Sequence, residues 1–370
     1  MAWPSEWQFY TFWQNNKASM SSQKVLILYT GGTIGMGYKN PEVINSPLVP
    51  QKWNQIQKFM PSIQPNGYFS GVRNIEFTYQ SLPEILDSSQ MGTNHWLQMA
   101  EVIDSNYTDF DGFIIIHGTD TMAYTASGLS FLLQNLGKPV VLTGSQLPIS
   151  HSRTDAINNL SNAIHIAAAA SFGLPIVPEV CICFNDRLFR GNRSTKASTN
   201  DFEGFVSPNY PALADLEQVI KFHPNTILKK PKAVFSIKPQ LSTKVMDIGL
   251  FPGLQPSLLR KLVDDEEVDG LILKTYGAGN APCTSEFVSV LKEARNKGTH
   301  ILFITQCYQG GVQLGKYEAS SAFLDMGVIS GGDMTNESAL AKMVWVLGQR
   351  LGVSETRRLL ETNLCGERSY

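Results

Sequence analysis

The chain has 370 residues, of which 43% are hydrophobic and 17% charged, with a formal net charge of −2. That length suggests two domains with sizeable cores. The near-neutral balance argues against a general affinity for nucleic acid or anionic membrane, both of which need a basic face. In chain order, residues 1–20 are aromatic but lack the basic start and apolar stretch of a secretory signal. They are expected to be an irregular leader, with Met20 as an alternative start. No run approaches the ~18 uninterrupted apolar residues of a membrane span, so a cytoplasmic location is expected.

Apolar runs predict strands at 24–29, 113–117, 139–143, 177–184, 233–237, 270–275 and 300–305. A helix is expected between the second and third. Asp120 or Thr121 can cap it, Leu129, Leu132, Leu133 and Leu136 form its apolar stripe, and Gly137 and Pro139 end it. Further helices are predicted near 154–170, starting around Asp155, and at 284–297, 337–351 and 354–363. Strands separated by helices of this length imply βαβ units. The expected fold is α/β, with a larger N-terminal, mostly parallel sheet flanked by helices and a smaller C-terminal α/β domain. The boundaries are read as 21–209 for the first domain, 210–232 for the linker and 233–370 for the second domain.

Five cysteines, an odd and scattered set, make no disulfide framework. Cys181 and Cys183 share one face of a strand-like run. With no further Cys/His pair nearby, they read as core packing rather than metal ligands. The histidines also lack ligand spacing.

Two turns carry hydroxyls directly after apolar strands. One is Thr30-Gly31-Gly32-Thr33-Ile34-Gly35; the other is His117-Gly118-Thr119-Asp120-Thr121. In open α/β sheets, ligands bind beyond the carboxyl ends of the strands. The first turn fits neither the dinucleotide fingerprint nor the phosphate loop, because Thr33 and Ile34 replace glycines and Tyr38 stands where a lysine is needed. It is either a tight turn capped by Thr33 or a flexible backbone beside an exposed hydroxyl. Asp120 can serve as a plain helix cap or as an anchor for an ammonium group, and His117 reads as structural. The segment Asp87-Ser88-Ser89 is polar and alone reads as a cap. Arg187 to Lys196 is densely basic and alone reads as a solvated loop. A lysine held beside Thr119 and Asp120 can act as a base if desolvation lowers its pKa. There is no G-x-S-x-G elbow, no Cys/His pair and no H-E-x-x-H, so a hydrolase here would use threonine.

Taken together, these turns resemble the bacterial-type L-asparaginase family, in its cytoplasmic type I branch. Thr143-Gly144-Ser145-Gln146, Arg190 to Lys196 and Tyr276-Gly277-Ala278-Gly279-Asn280-Ala281-Pro282 match as well, in order, from about residue 24 to about 365. The resemblance implies hydrolysis of L-asparagine to L-aspartate and ammonia without metal or organic cofactor. It implies that Thr33 attacks the side-chain amide and forms an acyl-enzyme. Thr119, Asp120 and Lys196 would form a second polar triad, and Asp87 and Ser88 would hold the substrate α-amino and α-carboxylate groups, with Asp120 sharing the ammonium. It further implies a homotetramer built as a dimer of dimers. The family often places an activating tyrosine on the loop after the first threonine. Here Tyr38 falls earlier, and Val43 or Ile44 takes the aligned place. An allosteric asparagine site would map to Lys274, Thr305, Gln306 and Cys307. Lys274 stands where an arginine would fork a carboxylate, which lysine cannot do.

Three other readings fit parts of the pattern. An ammonia-supplying amidotransferase subunit would carry an extra domain before the first turn. A catalytically inactive amino-acid sensor would keep Asp87, Ser88 and Asp120 without needing Thr33, Thr119 and Lys196. A lysophospholipase-type relative would carry ankyrin-like repeats, which the sequence lacks.

Overall fold

Strand β1, Gln23–Gly31, sits inside the main sheet and sorts its side chains by alternation. Val25 and Ile27 join one buried cluster, while Leu26 and Leu28 join the other. The computed structural model describes residues 22–40, 43, 46–60, 63, 68–69, 72–73, 75–263, 268–315 and 318–369. The expected leader at 1–20 lies outside the described residues, as does Ile44.

The remaining strands of this sheet are β2 (Ile75–Leu86), β3 (Gly112–Ile116), β4 (Val140–Thr143), β5 (Val180–Phe184), β6 (Arg187–Arg190), β7 (Ala214–Leu216) and β8 (Ile220–Phe222). The spatial order is β8-β7-β6-β5-β4-β3-β1-β2. From β2 to β5 the pairing is parallel, with Ile27 opposite both Tyr79 and Ile114, and Ile115 opposite Leu142. From β5 to β8 it is antiparallel. Strands buried on both faces read as unbroken apolar runs, which is why Phe113-Ile114-Ile115-Ile116 and Val140-Val141-Leu142 were legible. A second sheet holds β9 (Val245–Gly249), β10 (Gly270–Thr275), β11 (His300–Thr305) and β12 (Ile329–Ser330), all parallel and adjacent in that order. The α/β class and the division into a larger and a smaller sheet are as expected.

Helices cover both faces of the main sheet. On one side α1 (Thr93–Asn106) and α2 (Met122–Leu132) bring Met99, Ile103, Leu129 and Leu132 to the cluster that holds Leu26 and Leu28. On the other, α3 (Ala156–Ala167) packs Leu160 and Ile164 against Ile114 and Val141. The second sheet carries α4 (Pro256–Val263), α5 (Ser285–Asn296), α6 (Glu318–Asp325), α7 (Asn336–Gly348) and α8 (Val353–Glu361). Helix α5 starts where Thr284 accepts a hydrogen bond from the Phe287 N–H, and α7 where Thr335 accepts from Ser338. Met343 and Trp345 of α7, with Ile272 and Leu302 of the second sheet, enter the same cluster as α2. One hydrophobic core therefore bridges the two sheets.

Three expectations change locally. Helix α2 stops at Leu132, because Leu133 and Gln134 pair as a short strand with Ser236 and Ile237. Those two residues are what remains of the strand expected at 233–237. Leu133 and Leu136 still face the core, from outside the helix. Within the connection placed at 210–232, residues 214–216 and 220–222 form β7 and the edge strand β8 of the main sheet. Cys181 and Cys183 are fully buried on one face of β5, and burial pushes both thiols up.

Candidate active site

The two threonine turns meet because glycines let their backbones touch. Gly31 ends β1 and Gly32 follows it, with φ of 119° and 87°, the left-handed region that side chains rarely adopt. A Cβ on Gly32 would lie 2.4 Å from the backbone of Gly118. A Cβ on Gly118 would lie 2.6 Å from the hydroxyl oxygen of Ser88. Three strand ends, those of β1, β2 and β3, are thus pressed together at contact distance, and each presents its polar residues to the same place. Thr33 opens a short turn, Thr33–Gly35, immediately after this contact. Beneath it Tyr29 is buried, and its hydroxyl donates to the Gly35 carbonyl at 3.4 Å.

Asp87 and Ser88 follow β2. The Asp87 carboxylate accepts from the Ser89 N–H at 2.9 Å, and its pKa lies below the ordinary range through that backbone bond, with Lys196 adding attraction. Ser88 is buried, and its carbonyl accepts from the Thr121 hydroxyl at 2.7 Å. Thr121 is the N-cap residue of α2, yet its hydroxyl is spent on Ser88 rather than on the helix. Asp120 does not cap α2 either.

Asp120 instead meets Lys196. The Lys196 Nζ donates to Asp120 Oδ1 at 2.6 Å and to the Thr119 hydroxyl at 2.8 Å. Thr119 is buried, and Lys196 is reached across 77 residues of sequence. The structure therefore brings together Thr119, Asp120 and Lys196, and sets Asp87, Ser88 and the Thr33 turn around them.

The basic loop that carries Lys196 is largely buried from Leu188 to Ser194 rather than solvated. Arg190 pairs with Glu179 at 2.6 Å and Arg193 with Asp333 at 3.1 Å, each pair buried. Asn192 donates to the Cys365 carbonyl at 3.1 Å, and Arg190 to the Gly366 carbonyl at 3.3 Å. A buried charge needs a partner in this way. The Arg190–Arg193 density signals anchorage to the second sheet's half and to the C-terminal segment.

His117 is structural, as expected, and its protonation state follows from its partners. Its Nδ1 lies 2.7 Å from the Gly118 carbonyl, which can only accept, so Nδ1 carries the proton. Its Nε2 then accepts from the Thr125 hydroxyl at 2.9 Å. Burial pushes the His117 pKa down to about 4. The unfolded chain takes up a proton near pH 6.5 and the folded one does not, so this stability is complete above that pH. It is lost as pH falls toward 4, by about 3 kcal/mol. His117→Asn is expected to flatten this slope, read as denaturant midpoints between pH 4.5 and 7.

The other sequence candidates lie elsewhere. Tyr38 is 48% exposed, in a hairpin that pairs it with Leu48. Lys274, Thr305, Gln306 and Cys307 gather at the ends of β10 and β11. There Lys274 pairs with Asp247 at 3.3 Å, Thr305 donates to the Gly277 carbonyl, and Gln306 donates to the Leu250 and Lys274 carbonyls. Cys307 is a free, exposed thiol. Sequence reasoning missed Glu337 and Thr195, which bond to each other at 2.6 Å directly behind Lys196. Nothing in either local pattern distinguishes them from a helix start and a strand residue. Among the described residues, no group of three or more His, Cys, Asp or Glu could hold a metal ion. No described helix is long and apolar enough to cross a membrane.

The arrangement matches known proteins over nearly its whole length. Residues 24–228 match the family described as Asparaginase, N-terminal, and residues 244–360 match Glutaminase/Asparaginase C-terminal domain. The chain belongs to the asparaginase family. It is 38% identical to L-asparaginase 1 of Escherichia coli K12, over 94% of this chain and 98% of that protein. The crystal structure of L-asparaginase I from Vibrio cholerae superposes with a TM-score of 0.83 at 38% identity, covering 95% of this chain and all of that one. The thermostable L-asparaginase from Thermococcus kodakarensis gives a TM-score of 0.83 at 31% identity, covering 94% and 100%.

Proposed function

We propose that this chain hydrolyses L-asparagine to L-aspartate and ammonia, with Thr33 as nucleophile. The observation that carries the reading is the contact of Gly32 with Gly118. It sets the Thr33 turn against a buried threonine hydroxyl that is hydrogen-bonded to Lys196. The Thr33 oxygen attacks the side-chain amide carbon. The tetrahedral intermediate collapses with cleavage of the C–N bond, and the threonine proton leaves with the amine as ammonia. Water then attacks the acyl ester, releasing aspartate and restoring the hydroxyl. Thr119, Asp120 and Lys196 form the polar group that orients and activates the attacking hydroxyl or water.

Charge placement supports the assignment of the substrate ends. Asp87, held ionised by the Ser89 N–H, and the exposed Asp120 carboxylate suit the α-ammonium group. Ser88 suits the α-carboxylate. Clamping of the Gly118 carbonyl by His117 fixes the peptide plane whose N–H belongs to Thr119. That N–H is the proposed oxyanion donor, a role typically worth about 3–4 kcal/mol in kcat. No metal or organic cofactor enters this scheme. By similarity to its relatives, we propose a cytoplasmic homotetramer, a dimer of dimers.

Ammonia release measured against asparagine and against glutamine tests the reading. Saturable release from asparagine is expected, and none from either amide would overturn it. A hyperbolic curve is expected, because the side chains of Lys274, Thr305 and Gln306 at the mapped allosteric positions are already engaged with Asp247 and with backbone carbonyls. A sigmoidal curve would mark a second asparagine site there.

A further inference from the structure

We infer that Glu337, on the second sheet's half of the molecule, is a positioning residue for Lys196 and acts through Thr195. This rests on the reading of Lys196 given above. Thr195 and Lys196 form a two-residue strand, paired antiparallel with Phe205 and Val206. Successive side chains of a strand point to opposite faces. The partners show this division: the Lys196 amine reaches Thr119 and Asp120, while the Thr195 hydroxyl donates to Glu337 Oε1 at 2.6 Å. One side of the strand performs the chemistry and the other is held from behind.

The anchor is well founded. Glu337 is 8% exposed and lies in the first turn of α7, which Thr335 caps. The neighbouring Asn336 donates to the Tyr124 hydroxyl of α2 at 3.0 Å, so this turn is docked against the helix that follows Thr119. Burial pushes the Glu337 carboxyl up, while the bonds from Thr195 and Thr335 and the charge of Lys274 act in the opposite direction. A buried carboxylate costs free energy unless it is bonded. Its bond to Thr195 is therefore not easily exchanged for water, and a hydrogen bond of 2.6 Å holds both side chains in one geometry. On the preceding side, Arg193 and Asn192 are tied to Asp333 and Cys365, so the backbone reaches Thr195 already fixed. The last rotational freedom before Lys196 is removed by Glu337.

The test is steady-state ammonia release from asparagine by the full chain. Thr195→Val, which keeps the shape and removes the donor, is expected to lower kcat about tenfold with KM changed less than about twofold. Thr195→Ser and Glu337→Gln keep a donor and an acceptor, and both are expected to retain kcat within about twofold. Adding Glu337→Ala to Thr195→Val is expected to cost little more, since both break one interaction. In a Lys196→Met background, Thr195→Val is expected to leave the residual kcat unchanged. Wild-type kcat in Thr195→Val, or the same tenfold loss on top of Lys196→Met, would overturn the inference and leave the asparaginase reading intact. Loss of that reading would show separately, as undiminished release by Thr33→Ala.

Discussion

Thr33→Ala is expected to lose ammonia release by about a thousandfold or more while still binding asparagine. The change removes the attacking oxygen and little else, because Thr33 is half-buried in a short turn whose backbone is set by Gly31 and Gly32. The proposed binding groups, Asp87, Ser88 and Asp120, stand on other strand ends and stay in place. Where a nucleophile and its activating groups act as a unit, loss of the nucleophile removes most of the unit's effect. Calorimetric titration with asparagine should therefore give an affinity close to wild type beside a turnover near the detection limit. Release at a near wild-type rate would show that Thr33 is not the nucleophile.

Lys196→Met is expected to lower kcat by about a hundredfold to a thousandfold, the range that a positioned proton-transfer group contributes. The ammonium lies 2.8 Å from the Thr119 hydroxyl and 2.6 Å from Asp120, so the variant leaves that hydroxyl without its charged neighbour. Stability is expected to change by about 1 kcal/mol or less. The Asp120 side chain is 59% exposed, and exposed ion pairs contribute little. Thermal unfolding measured beside kcat separates the two effects. An unchanged rate and pH profile would make Lys196 an ordinary basic residue of its loop.

The parts of the fold legible in the sequence are those buried on both faces. The runs before Thr33 and Thr119, and those that became β10 and β11, each hold an unbroken apolar stretch of three or more residues, and their positions are nearly as read. The twelve-residue strand β2 was missed because it is an edge strand with one face toward solvent. Its Thr78, Gln80, Pro83 and Glu84 interrupt the apolar pattern, and the Pro83 ring, which would break a central strand, is tolerated at an edge. Strands β6 to β8 were missed for a related reason, since short antiparallel members need only a few apolar side chains. The burial of the loop from Arg187 to Lys196 is not legible locally, because charge in a sequence suggests solvent. The acids that bury its arginines, Glu179 and Asp333, lie 11 and 140 residues away.

Read without its fold, the chain discloses the chemistry available at two points. Strand, glycine and threonine are local neighbours, and glycine permits the sharp backbone that exposes a hydroxyl at each strand end. Of the polar inventory, Thr33, Thr119 and Asp120 were readable in that way, while Asp87, Ser88 and Lys196, and every role, came from the family resemblance. That these points meet follows from the packing of the strands. Gly32 touches Gly118 because β1 and β3 are adjacent and parallel, and a hydrogen bond spans 76 residues because β6 turns Lys196 back over their ends. Packing also sets what stands behind the lysine. Thr195 and Glu337 are 142 residues apart, and a bond across that distance depends on how two hydrophobic faces pack rather than on any local pattern.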